Sequence, residues 1–355
     1  MIDDIDRRTV LGILGALTAL WIVAGLVFPD SWAGVLLSIT ASPSTHTAML
    51  RLAVPIALAA LGGIFAEKSG VINIGLEGLL IVSAFSAIIV TFWLGSGEST
   101  MLLSHHWWGF AVGVLASTLF ALIFAIVCID FKADQIIAGL AVWLIALGLA
   151  PFASRIVFDS PNTAGVGRFQ NVTIPVLSEI PFFGYLLFDT PPQVYLMLGA
   201  TAVGWYLLNR TAFGRWVVAS GENPKALDTA GVDVRKVRYA AVVLSGVFAG
   251  LGGAGFALGQ LGTFAGGGET AIGGRGFIAI ATYLFANYHP IGALGGSFLF
   301  AGLEALQIQL QNLGYAVPTE LIRTIPYVTV IVVLVFVGKT RLPEAAGEAY
   351  DSDED

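Results

Sequence analysis

Four stretches of the chain, Val10 to Phe28, Trp107 to Ile129, Gln135 to Ser154 and Ala240 to Leu258, contain no charged residue. Each is close to the twenty or so apolar residues that an α-helix needs to cross a hydrocarbon core of about 30 Å. Inside lipid every backbone N–H and C=O must find a partner within the protein, so such runs fold as spanning helices packed into a bundle. The rest of the composition agrees. Of the 355 residues only 12% are charged and 56% are hydrophobic, where a soluble domain carries about 25% charge. The mean hydropathy of +0.83 excludes an ordinary soluble enzyme and a disordered chain.

Six further runs are shorter or polar-edged: Arg51 to Phe65, Leu79 to Leu94, Pro191 to Leu208, Phe277 to Tyr288, Ile291 to Leu310 and Ile322 to Val337. The expected fold is therefore an all-α membrane protein of about ten transmembrane helices in a single domain, 1–355. With ten crossings both termini share a side, and lysine and arginine choose which. Twelve of the 17 basic residues fall on the side of residues 1–9, 209–238 and 339–355, while Arg51, Arg155, Arg168, Arg275 and Arg323 fall on the other. That rule puts both termini and the 209–238 loop in the cytoplasm. The net charge of -7 owes four charges to Asp351, Asp353, Glu354 and Asp355, so the acidic tail is expected to be solvated, and no nucleic-acid partner is expected. Met1 to Asp6 lack the basic start of a secretory signal, so the first run is expected to stay in the membrane. The single Cys128 excludes a disulfide within the chain.

Two interruptions lie within the apolar pattern. Glu67-Lys68-Ser69-Gly70-Val71-Ile72-Asn73-Ile74-Gly75-Leu76-Glu77-Gly78 is too polar for lipid contact, and a second, glycine-rich break runs from Gly266 to Gly276. Such backbone is tolerated only where protein shields it or it lines a cavity. Gly75-Leu76-Glu77-Gly78 and Gly273-Gly274-Arg275-Gly276 repeat the pattern Gly-x-charged-Gly after the second and seventh runs. This is the arrangement of two inverted, broken-helix repeats around a central site. Glu77, Arg275 and Glu304 are the costly charges inside the spans, and such charges point to function. Glu77 and Arg275 could pair with each other, cap half-helices or meet lipid head groups. Glu304, Gln307 and Gln311 share one helix face, either as interhelical glue or as a solute pathway.

The 209–238 loop holds a short helix of its own. Asn223 is a favoured N-cap, Pro224 fits the first helical position, and Gly231 suits the stop. A helix of about seven residues is too short to stand alone, so neighbours or a partner must hold it. Its six basic residues also allow the loop to lie on lipid head groups.

Taken together, Glu67 to Gly78, Gly221-Glu222-Asn223-Pro224-Lys225-Ala226 and Gly273-Gly274-Arg275-Gly276-Phe277-Ile278-Ala279 resemble the permease subunits of ABC importers for nucleosides and simple sugars, in the branched-chain amino acid/ribose-type permease superfamily. The stretch Ser69 to Gly78 looks like the nucleoside-type second permease, which works beside a longer homologue. The resemblance implies a complex in the cytoplasmic membrane: this chain, a second homologous permease, ATP-binding subunits and an external solute-binding lipoprotein. It implies that Glu222, Asn223, Pro224, Lys225 and Asp228 belong to the helix that couples to the ATPase. Asn73, Glu77, Gln260, Arg275, Phe277 and Glu304 are the candidate pathway residues, since a neutral nucleoside needs amide and carboxylate partners beside an apolar wall.

The chain itself is not expected to be an enzyme or to bind a cofactor or metal. Gly338-Lys339-Thr340 has Val333 where a phosphate loop needs its first glycine, and His46, His105, His106 and His289 are read as surface or interfacial residues. The rival readings are an ion-coupled transporter or channel working alone, motivated by Glu77 and Glu304, and a membrane-embedded enzyme, which lacks the clustered acids or histidines it needs.

Overall fold

The computed structural model describes residues 7–95, 97–100, 103–267, 270–314 and 341–350. The helices in chain order are α1 (Arg7–Val27), α2 (Trp32–Thr40), α3 (Pro43–Lys68), α4 (Leu76–Leu94), α5 (His105–Ala125), α6 (Gln135–Phe158), α7 (Pro192–Arg210), α8 (Ala212–Glu222), α9 (Pro224–Thr229), α10 (Val234–Phe256), α11 (Arg275–Phe285) and α12 (Pro290–Asn312). Helices α5 and α10 each end in a π-helical turn, Ile126–Asp130 and Ala257–Leu261. Two two-stranded antiparallel ribbons decorate the connections: Ser99–Thr100 with Leu103–Ser104, and Val172–Thr173 with Asp189–Thr190.

Six of the described helices are long and apolar enough to cross a membrane, counting the π-turns with their helices, and seven if the pair α1–α2 is one span bent by 103°. The ten expected runs therefore map onto helices of unequal kind. Helix α11 has only 11 residues, about 16 Å at 1.5 Å per residue. Helix α7 has 19 residues and ends in Asn209 and Arg210. The run Ile322 to Val337 and the four terminal acids lie outside the described residues. The second run starts eight residues early, because Ser42 caps α3 through Thr45 N–H and Pro43 opens it. Arg51 thus sits inside α3 rather than at its edge.

Helices α3 and α10 form the centre, antiparallel, with α4, α5, α11 and α12 around them. Small residues let the backbones close up. A Cβ on Gly250 would come within 2.8 Å of the Val114 Cα of α5, which leaves only glycine at that crossing. Asp233 caps α10 by accepting from Lys236 N–H at 3.0 Å, a bond that holds its carboxyl below the usual carboxylate range. In contrast, α1, α5 and α6 expose Leu20, Leu26, Leu115, Leu144 and Ile156, the broad apolar face of a protein that lives in lipid.

Residues 69–75 connect α3 to α4 without helix, and 262–274 connect α10 to α11, Gly268 and Glu269 of this stretch being outside the described residues. The first break is shorter than the sequence suggests, since α3 continues through Glu67 and Lys68.

Candidate functional site: the junction of two half-helices and the loop beneath it

The N-termini of α4 and α11 meet. Glu77, the second residue of α4 and 2% exposed, accepts Gly274 N–H at 2.9 Å on one oxygen and Gly276 N–H at 2.6 Å on the other. These N–H groups belong to the first turn of α11, where no intrahelical acceptor exists and where the helix dipole favours negative charge. Glu77 is therefore the cap of the opposing half-helix. The contact is so close that a Cβ on Gly276 would collide with the backbone of Glu77. The two Gly-x-charged-Gly motifs are thus brought face to face.

Arg275 turns away from Glu77. Its guanidinium pairs with Glu304 of α12, donates to the Ile272 carbonyl at 2.6 Å and lies 4.4 Å from the centre of the Phe256 ring. Of the three arrangements the sequence leaves open, the structure selects capping for Glu77, and Arg275 goes to Glu304. The Glu304 stripe divides accordingly: Glu304 serves this ion pair, while Gln311 is exposed.

Asn73 approaches the junction from the first break. Its carbonyl oxygen accepts Gly75 N–H at 3.1 Å and its amide donates to the Ser245 hydroxyl at 3.1 Å, fastening the break to α10. Ser245 lies 11 residues into α10, about 16 Å along its axis. Phe277 stacks edge-on to Trp143 of α6, ring centres 5.3 Å apart, beside the same junction. Gln260 does not join this group. It sits on the π-turn of α10, 15 residues beyond Ser245, about 22 Å along the axis, and four residues beyond Phe256, against whose ring Arg275 lies. There its carbonyl accepts from Arg168 at 3.3 Å.

Sequence reasoning missed the fastening of α3 to α11. The Glu67 carboxylate is buried and accepts from the hydroxyls of both Tyr283 and Tyr288. The available signal was a glutamate at the mouth of the break and two tyrosines, one in the last turn of the short helix α11 and one just beyond it, too sparse to pair without coordinates. Histidine was also misjudged: His105 and His106 are buried, with ring nitrogens 2.7 Å from the Gly95 carbonyl and 3.0 Å from the Val166 carbonyl. The connection before α7 covers His106 with Val166 and Phe169, whereas His105 is held by the turn that follows α4.

The expected short helix is present. Asn223 accepts Ala226 N–H at 3.0 Å, Pro224 opens α9, and Gly231 takes a left-handed φ of 79° after it. Leu227 is buried as the anchor, while Glu222, Asn223 and Lys225 are exposed. The preceding helix α8 lies directly on the first break: Ser220 donates to the Ser69 carbonyl at 2.9 Å, and a Cβ on Gly221 would strike the Lys68 carbonyl. Residues 341–350 of the acidic tail are laid along the same surface. Ala345 N–H donates to Gly221 at 2.8 Å, Gly347 N–H to Gly70 at 3.0 Å, and the Tyr350 hydroxyl to Asp228 at 2.7 Å. Arg238 donates to the Glu348 carbonyl at 2.7 Å. This part of the tail is not a loose solvated end, because its backbone amides fill acceptors that the break and α8 leave open.

The family described as branched-chain amino acid transport system / permease component matches residues 46–334. The chain belongs to this family. Its role is that of the membrane-spanning permease subunit of an ABC importer. It is 36% identical over 308 residues to the guanosine ABC transporter permease protein NupQ of Bacillus subtilis (strain 168), covering 85% of this chain and 95% of that one. The nucleoside ABC transporter permease protein NupC of Lactococcus lactis subsp. cremoris (strain MG1363) is 32% identical over 307 residues, with 85% and 95% covered. The glucose ABC transporter permease protein TsgB13 of Haloferax volcanii is 25% identical over 303 residues, with 80% and 74% covered. No solved structure matches the chain.

Proposed function

We propose that the chain is one half of the pore of an ATP-driven importer for a neutral nucleoside or related simple sugar. The other half is a homologous permease, ATP is hydrolysed on separate ATP-binding subunits, and an external lipoprotein delivers the solute. The reading has about ten crossings, two inverted broken-helix repeats, and both termini with α8 and α9 in the cytoplasm. Two features support the repeats: α4 and α11 both begin at the Glu77 junction, and their breaks approach it from opposite ends of the bundle.

The observation that carries the coupling role is α9 itself: capped, anchored by Leu227, open on its outer face, and one helix removed from the first break. A helix of six residues is not independently stable, so rigidity here comes from its cap and its seat. Glu222, Asn223, Pro224, Lys225 and Asp228 meet the ATPase. Its closure displaces α8, which leans on residues 68–70, and the shift reaches the Glu77 junction through the seven-residue break. The solute pathway passes Asn73, Glu77, Arg275, Phe277 and Glu304, with Gln260 at the outer end. The alternative, an ion-coupled transporter or channel working alone, has less support, since Glu77 accepts two α11 amides and Glu304 pairs with Arg275 rather than lining an open path.

Replacing Asn223-Pro224 by Gly-Gly in the whole complex tests this. Uptake and solute-stimulated ATP hydrolysis should both fall severalfold, with solute binding by the lipoprotein intact, since an N-cap alone contributes about 1 kcal/mol. Unchanged uptake, or a chain that purifies alone and moves solute without ATP, would overturn the reading.

A further inference from the structure

At the end of the bundle away from α9, near the level of Gln260, a buried polar side chain on α7 has no role in the pathway described above. Gln193 is the second residue of α7 and 1% exposed, and neither its amide nitrogen nor its amide oxygen has a hydrogen-bond partner. It faces α10 and its π-turn. Its Cβ lies 3.1 Å from where a Cβ on Gly255 would stand, and its amide fills the space that the missing side chain of Gly259 leaves. Val54 of α3 borders the same position at 3.5 Å. Beside Gly259, the Gln260 amide oxygen is also buried without a partner, and one turn before Val54 the Arg51 Nε is buried in the same state.

The Gln193 amide is thus an orphan donor and acceptor in one place, and two more orphans lie on the neighbouring helices, the donor Arg51 Nε on α3 and the acceptor Gln260 Oε1 on the π-turn of α10. A polar group left unmet in a dry interior forfeits the hydrogen bonds it made to water. An apolar residue at 193 would avoid that cost, and π-turns such as the one opposite gather at functional sites. A hydroxyl donates and accepts at once, so two neighbouring hydroxyls can satisfy a paired donor and acceptor set of this kind.

We infer that Gln193, with Gln260 and Arg51, forms a solute-contact station that binds the vicinal hydroxyls of a neutral sugar ring, free or within a nucleoside. This rests on the importer reading above and adds a residue, Gln193, and a chemical class to it. In the present conformation the amide is covered, so solute meets it when α7 and the π-turn of α10 part.

The test is the whole complex in proteoliposomes, with ATP-dependent uptake of radiolabelled guanosine, adenosine, uridine, glucose and 2′,3′-dideoxyguanosine, in wild type and Gln193→Met. Methionine keeps the length and removes the polar atoms. The expected result is a melting temperature equal to or above wild type together with a KM raised about tenfold or more for the hydroxylated solute. Uptake of the dideoxy analogue should not change. An unchanged KM overturns the inference, and so does a lowered melting temperature, because the amide would then be structural. A wild-type complex that imports none of these solutes overturns the importer reading itself, a failure visible before any variant is compared. A preference for ring sugar over nucleoside, or the reverse, names the source of the hydroxyls.

Discussion

Residues 69–75 and 262–274 both lead to the Glu77 junction, yet they are fastened in different ways. The first break is dry and side-chain-bound: Ser69, Val71 and Asn73 are at most 1% exposed. Gln135 accepts Ile72 N–H at 2.6 Å, Asn73 ties Gly75 to Ser245, and Ser220 reaches Ser69. The second break is held through its own backbone, which bonds to both the backbone and the side chains of residues 162–166. Thr163 and Phe264 exchange bonds at 3.0 and 2.9 Å, Val166 N–H reaches the Gly262 carbonyl at 2.8 Å, and Asn162 takes Gly266 N–H at 3.1 Å, while Ala265 and Gly267 stay exposed. One break is bolted to the helices that carry α9, and the other to the connection between α6 and α7. On the proposed coupling, a push on α9 would reach the junction through the first break, which Ser220 of α8 contacts directly.

The junction should be the most sensitive point, because it is the one place both breaks share. Glu77→Ala leaves two α11 amides without acceptors and should destabilise the purified complex by about 3 kcal/mol or more, with uptake abolished. Thermal unfolding in detergent reads the first effect and vesicle uptake the second. Asn73→Ala removes two of the ties of the first break, those to Gly75 and Ser245, at a cost of about 2 kcal/mol, and hydrogen exchange should quicken at residues 71–76 while 262–267 stay protected. Thr163→Val keeps the shape of the second clamp but loses its hydroxyl, for about 1 kcal/mol. Its exchange pattern should be the reverse, and equal loosening of both breaks would end the distinction. Tyr350→Phe removes the tail's bond to Asp228. A change of about 0.5 kcal/mol is expected, seen as faster exchange at 343–350 with little change in melting temperature.

Much of this architecture was legible in the sequence. Four charge-free runs and two polar interruptions located the bundle and its breaks, because apolar length and helix rise are one-dimensional quantities. The α9 cap was legible for the same reason, as Asn223 and its acceptor partner Ala226 are three residues apart. The repeated Gly-x-charged-Gly motif correctly named Glu77 and Arg275 as companions in space. It could not tell a salt bridge from a cap, since that turns on which way Arg275 points, and Phe256 and Glu304 decide it from 19 and 29 residues away.

The sequence by itself determined that the chain lives in a membrane, where its helices are interrupted, and which short helix stands rigid in the loop. These follow from local composition and the fixed geometry of the peptide unit. Tertiary structure alone decided that Glu77 holds the opposing half-helix, that the Gln260 carbonyl goes to Arg168, that Tyr283 and Tyr288 lock Glu67, and that residues 341–350 lie along α8. Each of these is a pairing across a large sequence separation, set by which orphan donors and acceptors the packed helices leave within reach.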